Sequence, residues 1–332
     1  ENRELELYHS WTKDESEIIN EALACEASAM DFNTLINNSE GAQLSAAENI
    51  FIYANTNGFL NGFPSSRYYL SCSVLGGKES SMQRDSAYSS ARSYKDLKSP
   101  KEIGCEAASR TLKRLNPKKI STGVYPVIFE APIATSIISS LVSAISGRNL
   151  YRENSFLMNS IDTKIASNVL TIEEDPYLLR GNASKLFDDE GVQVKKRTVI
   201  KDGILNDYFL SSYSARRLGM KTTGNAGGSH NLLIQNSSIS FDELVTQMDK
   251  GLIVTELLGH GLNMITGDYS RGAAGLWVEG GIVQFAVEEI TIASNIKDML
   301  NNIEAIGSDK YTNGGKYTGS ILIKEMTIGS NN

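Results

Sequence analysis

The sequence has 332 residues, of which 41% are hydrophobic and 21% charged, so it is long enough for two hydrophobic cores and is neither disordered nor fibrous. Its formal net charge of -7 argues against nucleic acid as the main partner, because binding a phosphate backbone needs a basic surface. The three cysteines, Cys25, Cys72 and Cys105, are widely spaced, which suits a reducing compartment and predicts neither a disulfide framework nor a thiolate metal site. The sequence has no apolar stretch long enough to span a membrane. We therefore expect a cytoplasmic protein that has no membrane partner.

The N-terminal part of the sequence predicts a helix followed by hairpin strands. Thr12 with Glu15 matches a capping box ahead of an amphipathic helix that runs to about Met30. Asn57-Gly58 lies between two apolar runs and predicts a hairpin, and RYYLSCSVL after it predicts a third strand.

Two helices on either side of a buried strand are predicted next. Ser99-Pro100-Lys101-Glu102 carries the start signals of a helix that should end near Asn116-Pro117. YPVIFEAP predicts a short buried strand. Pro132 then opens a helix that is apolar on one face, with Gly147 as its natural stop.

The second half of the sequence is richer in predicted strands. Asp202-Gly203 and Gly280-Gly281 each predict a hairpin turn. One helix should begin at Ser240 and end near Gly251, and another should begin at Ser294 and continue through Ile303. The segment GSILIKEMTI predicts the final strand. Hairpins with interspersed helices, rather than regular strand and helix alternation, indicate an α+β fold.

The segment TELLGHG contains two of the three groups of the metallopeptidase motif H-E-x-x-x-H. Thr255 stands where the first histidine is needed, whereas Glu256 and His260 are present. Strand-like spacing would place these two side chains roughly 13 Å apart, too far to share one ion. Because Gly259 and Gly261 favour a turn, we interpret His260 as a turn residue and keep a metal site at Glu256 and His260 as the alternative.

The segment TGDYSRGAAG is the densest polar group ahead of a predicted strand. Asp268, Tyr269, Ser270 and Arg271 suit a carboxylate or a peptide end, which Arg271 would bind through two parallel hydrogen bonds. The alternative is a buried turn network around an ion pair between Asp268 and Arg271, and we favour this structural interpretation.

Two further polar stretches have simple interpretations. His230 lies in GNAGGSHN, whose glycines could bring backbone N–H groups to a ligand but are more typical of a turning loop. The acidic stretch 173–191 has the oxygen ligands that calcium prefers but lacks EF-hand spacing, so we expect a solvated loop. With only His9, His230 and His260 and no G-x-S-x-G motif, serine catalysis is not predicted.

Four longer segments carry a family resemblance: TELLGHGLNMITGDYSRGAAGLWVEGGIVQFAVEEITIASNIKDML, VIKDGILNDYFLSSYSARRLGMKTTGNAGG, PKKISTGVYPVIFE and LTIEEDPYLLRG. Together they resemble the PmbA (TldE) branch of the TldD/PmbA metallopeptidase family. The resemblance implies a central α+β domain over residues 1–120 and a β-rich C-terminal domain over residues 121–332. It also implies that the N-terminal α/β domain usual in the family is absent.

The same resemblance locates the counterparts of the family's zinc ligands. In the TldD branch, H-E-x-x-x-H lies on the helix after the strand equivalent to YPVIFEAP, and a cysteine near the C-terminus completes the site. These positions correspond here to Ser139, Ser140, Ala144 and Tyr317, none of which is a useful zinc ligand. The resemblance therefore implies no cofactor in this chain, and zinc in a TldD-like partner.

We therefore expect a non-catalytic PmbA/TldE-type subunit of a TldD-like zinc metallopeptidase complex that acts on small or unfolded peptides. Without its partner the chain should self-associate. Two alternatives remain: a self-sufficient metallopeptidase that uses Glu256 and His260, and a protein-binding modulator of a DNA-associated enzyme.

Overall fold

The computed structural model describes residues 4–78 and 81–330, which divide into two units. The first unit contains the chain up to Pro117 together with Leu179–Asn182. The second contains Lys118–Leu178 and the chain from Ala183 onward. None of the helices in the described ranges has the length and apolar character to cross a membrane.

The first unit packs two helices against a three-stranded antiparallel sheet in the order β1-β2-β3. Its core contains Cys25, Leu70, Cys72 and Ile103, so two of the cysteines serve as small apolar residues. The elements are α1 (Glu15–Met30), β1 (Ile36–Ala54), β2 (Leu60–Gly76), β3 (Gln83–Ala91), a 3-10 turn (Tyr94–Asp96) and α2 (Pro100–Lys113).

Some of the helix and strand predictions for the first unit differ from the structure. Helix α1 is capped by Asp14, whose carboxylate accepts the Glu17 N–H, and not by Thr12. A carboxylate in this position also interacts favourably with the helix dipole. The predicted third strand RYYLSCSVL is wrong as a separate element, because β2 stays paired with β1 through Gly62 and Pro64 and runs on without a turn. The capping box of Ser99 and Glu102 at α2 is confirmed.

The second unit contains two sheets and five helices among its described residues. Strands β11-β10-β9-β4-β14-β12 form one sheet, and an additional pairing of β11 with β14 closes five of them into a small barrel. The other sheet has the order β13-β8-β5-β6-β7. The elements are β4 (Gly123–Phe129), α3 (Ala131–Ala144), α4 (Gly147–Leu150), β5 (Ile172–Asp175), β6 (Arg197–Lys201), β7 (Ile204–Leu205), α5 (Ser212–Leu218), β8 (Asn231–Ile234), α6 (Phe241–Met248), β9 (Gly251–Leu258), β10 (Asp268–Glu279), β11 (Ile282–Asn295), α7 (Ile296–Asn301), β12 (Ile303–Ile306), β13 (Lys316–Tyr317) and β14 (Ile321–Ser330).

The predicted α+β fold is confirmed, and so are the hairpins at Asp202-Gly203 and Gly280-Gly281. Gly147 does not stop the helix after Pro132. Helix α3 ends at Ala144, and Gly147 begins α4, where its lack of a side chain leaves room for Ser214. Helix α7 is also shorter than predicted, since the Asn295 side chain caps it and Ser294 still belongs to β11.

Candidate functional site

The TELLGHG segment divides between a strand and a loop. Thr255 and Glu256 belong to β9, which ends at Leu258, and His260 follows as an exposed loop residue. Gly259 has a φ of 68°, a left-handed conformation that few residues other than glycine adopt readily. His260 therefore lies on a loop next to a bend at Gly259, and Glu256 lies on a strand, so the two residues share no helix.

The second glycine of this segment lets the loop lie against strand β10. The Ser270 N–H donates to the Gly261 carbonyl at 2.7 Å. A side chain added to Gly261 would collide with the Ser270 carbonyl at 1.7 Å. The two glycines that flank His260 thus meet the conformational and packing needs of a loop that folds back on β10.

The four polar residues from Asp268 to Arg271 open strand β10 and do not form a turn. The Asp268 carboxylate accepts hydrogen bonds from Thr266 at 2.7 Å and from Asn295 at 3.3 Å, and it makes no ion pair with Arg271 among the described residues. The Asp268–Arg271 network considered from the sequence is therefore absent. Ser270 is exposed, whereas Tyr269 and Arg271 point to the opposite face of the strand.

Tyr269, which is buried, and Arg271, which is half-buried, form a polar pair at the end of the barrel. The Arg271 Nη2 donates to the Gly259 carbonyl at 2.6 Å and so holds the loop that carries His260. The Tyr269 hydroxyl and the Arg271 Nε are shielded from solvent and make no hydrogen bond of good geometry, but the two side chains are neighbours and the guanidinium can donate to the hydroxyl oxygen. Burial raises the pKa of Tyr269, and the neighbouring Arg271 guanidinium opposes part of this rise.

Helix α3 contains Ser139, Ser140 and Ala144, the three positions that the sequence resemblance compares with zinc ligands of the TldD branch. The Ser139 hydroxyl donates to the Thr135 carbonyl at 2.7 Å, and the Ser140 hydroxyl donates to the Ser136 carbonyl at 2.9 Å. Ala144 is fully buried and has no donor atom. The donor set of this helix therefore does not fit zinc, which takes imidazole, thiolate or carboxylate ligands.

Strand β13 lies next to α3 and contains Tyr317, the fourth position compared with a zinc ligand. A phenol is not among the usual protein ligands of zinc. Within residues 4–78 and 81–330, no three His, Cys, Asp or Glu side chains are grouped to hold a metal ion.

Sequence reasoning missed a buried polar network that joins two of its separate candidates. Glu174 on β5 lies opposite Arg197 on β6, and the Arg197 Nε donates to the Glu174 Oε2 at 2.7 Å. The other carboxylate oxygen accepts from Asn225 Nδ2 at 2.7 Å and from the backbone and Nδ1 of His230 at 2.8 and 2.9 Å. Arg197 also donates to Asp207 and to Asn225.

This network fixes the glycine-rich loop before β8 to the five-stranded sheet. Glu174 and His230 are only 1% and 4% exposed, so the network is closed to a substrate. Burial by itself raises the pKa of the Glu174 carboxyl, but the hydrogen bond from His230 and the charge of Arg197 outweigh it, and the pKa lies below its ordinary value. The acidic stretch is thus not wholly solvated, and the His230 loop is held by a buried carboxylate.

No local sequence motif predicts this network, because its residues are far apart in the chain. The available signal was the alternation of strand β5, in which Glu174 shares a face with the buried Ile172. A carboxylate on a buried strand face needs a cationic or hydrogen-bonding partner, but only the strand pairing identifies that partner as Arg197.

Comparison with known families decides the classification. The sequence model of the PmbA/TldA metallopeptidase central domain matches residues 8–115, and that of the C-terminal domain matches residues 122–330. The chain belongs to the PmbA/TldA metallopeptidase family. It is 45% identical to the metalloprotease PmbA of Escherichia coli O157:H7 over 98% of this chain and 72% of that protein. It is 43% identical to a PmbA homologue of Haemophilus influenzae over 99% of this chain and 73% of that protein.

Two solved structures are similar to this chain in fold. The structure of a Bacteroides thetaiotaomicron protein, named as a candidate modulator of DNA gyrase, aligns with this chain with a TM-score of 0.94 and 28% sequence identity. The alignment covers 100% of this chain and 76% of that chain. TldE from Thermococcus kodakarensis has a TM-score of 0.82 at 22% identity, with 97% of this chain covered and 78% of that chain, and shares the fold.

Proposed function

We propose that this chain is a PmbA/TldE-type subunit of a heteromeric metallopeptidase, in which a TldD-like subunit supplies the zinc, the general base and the activated water. The complex hydrolyses small or unfolded peptides. This chain contributes to peptide binding and to the assembly, and it has no zinc site of its own.

The donor chemistry of helix α3 carries the proposal. The helix sequence APIATSIISSLVSA contains no histidine, cysteine, aspartate or glutamate. A catalytic zinc needs about three protein ligands that converge on one point. Because the Ser139 and Ser140 hydroxyls donate to carbonyls of their own helix, they support the helix backbone and do not prepare a metal site.

An exposed apolar face in the first unit supports an association with another subunit. Residues 49–54 of β1 pair with residues 60–65 of β2 beyond the end of β3, so this part of the sheet is a two-stranded ribbon. Ile50, Ile52 and Leu60 lie on one face of the ribbon and are 74%, 66% and 73% exposed. A two-stranded ribbon is marginally stable in water, and a partner surface that covers these side chains would stabilise it. We propose that this surface binds the TldD-like subunit.

The experiment compares the chain alone with the chain purified from a host that also expresses a TldD-like protein. Alone, it should hold no stoichiometric zinc after mild dialysis and should not cleave an unfolded peptide. Together, the two chains should co-purify as one particle in a mass measurement, with zinc and peptidase activity present. About one tightly held zinc per lone chain would overturn the proposal.

A second function is suggested by the names of two similar solved structures. The proteins from Bacteroides thetaiotaomicron and Thermotoga maritima are both named as candidate modulators of DNA gyrase. With a net charge of -7, this chain would contact the enzyme and not its DNA. A supercoiling assay with purified gyrase tests this function directly, since the chain should change the rate at equal DNA concentration.

A further inference from the structure

Strand β1 is an edge strand that is open along its outer side. It has 19 residues, whereas strands of globular proteins usually have about 3–10, and it stands at the end of the order β1-β2-β3. Its pairing with β2 is regular from the Ala42–Cys72 pair to the Ala54–Leu60 pair. Along this stretch, no other segment of the described chain hydrogen-bonds to the backbone of the outer side. An open row of N–H and C=O groups is a template for another strand.

The backbone groups that face the open side belong to the even-numbered residues near the end of β1. The Asn55 N–H donates to the Phe59 carbonyl, so these two residues form a hydrogen-bonded pair of the antiparallel ladder. Hydrogen-bonded and non-hydrogen-bonded pairs alternate along such a ladder. Ala54, Ile52 and Ile50 therefore direct their N–H and C=O groups away from β2, towards the open side.

The two edges of the β1–β2 ribbon differ in their protection. On the β2 edge, the residue opposite Ile50 is Pro64, which has no N–H and cannot extend a ladder on that side. Proline, lysine and bulges are the common means of blocking an edge. The β1 edge has no proline, lysine or arginine between Ala42 and Ala54, and its register shifts come before Ala42. The β2 edge is therefore blocked, whereas the β1 edge is not.

The end of β1 has the side-chain pattern of a strand that lies between two others. Ile50 and Ile52 are exposed on one face of the ribbon. Phe51 and Tyr53 lie on the other face, against aromatic rings of β2. A strand with one solvated face usually alternates apolar and polar side chains, and this segment is apolar on both faces. The sequence thus suits a strand with two neighbours, of which the described chain supplies one.

We propose that the open edge of β1 pairs with β1 of a second copy of this chain, antiparallel and about a two-fold axis at Phe51. In this register Ile50 lies opposite Ile52 of the second copy, and the outward N–H and C=O groups of these residues exchange hydrogen bonds. The three-stranded sheets of the two copies join into one continuous sheet. This association goes beyond the proposed function, because it needs neither zinc nor a TldD-like subunit.

Charge favours this occupant and this register. Glu48 is the one charged residue between positions 42 and 54, and its carboxylate already accepts hydrogen bonds from the Tyr8 hydroxyl and the Trp11 N–H. A two-fold axis at Glu48 would place two carboxylates opposite each other, which destabilises a strand pair. The axis at Phe51 places Glu48 opposite Ala54 of the second copy. The edge is then complementary to itself, as a symmetric dimer requires.

Disulfide cross-linking of the full chain tests the register. Phe51→Cys places one thiol of each copy at a closely spaced pair whose Cα atoms lie about 4.5 Å apart, within the range of a disulfide, so oxidation should give a covalent dimer. Tyr53→Cys is the matched control, because it also removes an aromatic ring but leaves the two thiols roughly 13 Å apart along the strands. The wild type, oxidised in parallel, gives the background of the native cysteines. Cross-linking of Tyr53→Cys but not of Phe51→Cys would overturn the proposal.

Proline substitution separates edge pairing from association through the apolar face. Ile52→Pro removes an outward N–H but no hydrogen bond to β2, so the Kd of the dimer in sedimentation should rise by at least about tenfold. Leu60→Pro is the matched control. It removes an exposed aliphatic side chain from the same face and an outward N–H from the blocked edge, and it should leave the Kd unchanged.

The result that contradicts edge pairing is also defined by this pair of variants. Equal weakening by Ile52→Pro and Leu60→Pro would indicate association through the apolar face and overturn the proposal. A folded Ile52→Pro variant that dimerises as tightly as the wild type would overturn it as well. So would a wild-type chain that sediments as a monomer at every concentration.

Discussion

Buried polar side chains in this protein are of two kinds, and they predict opposite responses to substitution. Glu174 has both carboxylate oxygens hydrogen-bonded in the network of Arg197, Asn225 and His230. Tyr269 has a buried hydroxyl that makes no hydrogen bond of good geometry and has the half-buried Arg271 guanidinium as its polar neighbour. Removing a buried group that is hydrogen-bonded leaves its partners without a hydrogen bond, which destabilises the protein. Removing a buried group that makes no good hydrogen bond takes away an unfavourable desolvation.

Substitution of Glu174 by Gln tests the satisfied network. The variant removes the buried one of the two carboxylates that pair with Arg197 and leaves the more exposed Asp207, so we expect the free energy of unfolding at pH 7 to fall by about 1.5–3 kcal/mol. Urea denaturation measures the change. Glu279→Gln is the control, since the Lys250–Glu279 pair is exposed and should contribute less than about 1 kcal/mol. Equal losses in the two variants would show that burial adds nothing to the Glu174 pair.

The pH dependence of stability follows from the lowered pKa of Glu174. A carboxyl whose folded-state pKa lies below its unfolded value stabilises the protein above that unfolded value. This stabilisation is lost as the pH falls below the ordinary value of 4.5 and through the lower folded pKa. The stability difference between the wild type and Glu174→Gln should therefore shrink in urea titrations between pH 7 and pH 3. A difference that stays constant over this range would contradict the lowered pKa.

Tyr269→Phe tests the hydroxyl beside Arg271. We expect the free energy of unfolding to stay within about 1 kcal/mol of the wild type or to rise, because no hydrogen bond of good geometry is lost. Tyr208→Phe is a matched control with a different outcome. The Tyr208 hydroxyl donates to the Leu157 carbonyl and accepts from the Ser160 N–H, so its loss should cost about 1–3 kcal/mol. Similar losses in both variants would indicate a structural hydrogen bond at Tyr269.

At the scale of elements, local signals were predictable and strand continuity was not. The Ser99 capping box and the turns at Asp202-Gly203 and Gly280-Gly281 are encoded in two to four adjacent residues, and the structure contains them. Asn61-Gly62 has the letters of a turn but lies inside β2, because pairing with β1 on one side keeps the strand extended. Such pairing depends on residues far along the chain, which no window of sequence contains.

The ribbon formed by β1 and β2 yields a prediction at this scale. Replacing both Ile50 and Ile52 by Asp should weaken self-association of the lone chain by about tenfold or more, since each buried isoleucine contributes about 1.5–3 kcal/mol to an interface. Light scattering over a range of concentrations measures the change. Ile265→Asp, at a 60% exposed position outside the ribbon, is the control. A wild-type chain that stays monomeric at every concentration would remove the basis for an obligate partner surface.

For the whole molecule, the sequence predicted the class of fold but not the assembly of its sites. Four long segments, which occur in the same order along the chain as in the family they resemble, predicted the α+β fold, because they preserve the hydrophobic pattern of many elements at once. The closure of the barrel by β11 and β14 depends on two strands that are distant in the sequence. The same is true of the Glu174 network, and of the proximity of the His260 loop to Arg271.

The reconstituted complex distinguishes an inert subunit from a peptidase with its own site. His260→Ala in this chain should leave peptide cleavage nearly intact, because His260 is an exposed loop residue and shares no helix with Glu256. Substitution of the glutamate in the zinc motif of the TldD-like partner should lower turnover by about a hundredfold or more, as expected when a general base is lost.

Arg271→Ala gives the informative contrast in the same assay, measured at matched complex concentration and confirmed zinc content. It removes the hydrogen bond that holds Gly259 and so loosens the loop of His260, and we expect weaker assembly or weaker peptide binding, seen as a higher KM, while kcat changes little. A rise in KM with unchanged assembly places Arg271 in substrate binding and leaves the chemistry with the partner. If His260→Ala abolished turnover as completely as the partner's variant while the complex stayed assembled, TELLGHG would be a working site and the chain could not be an inert subunit.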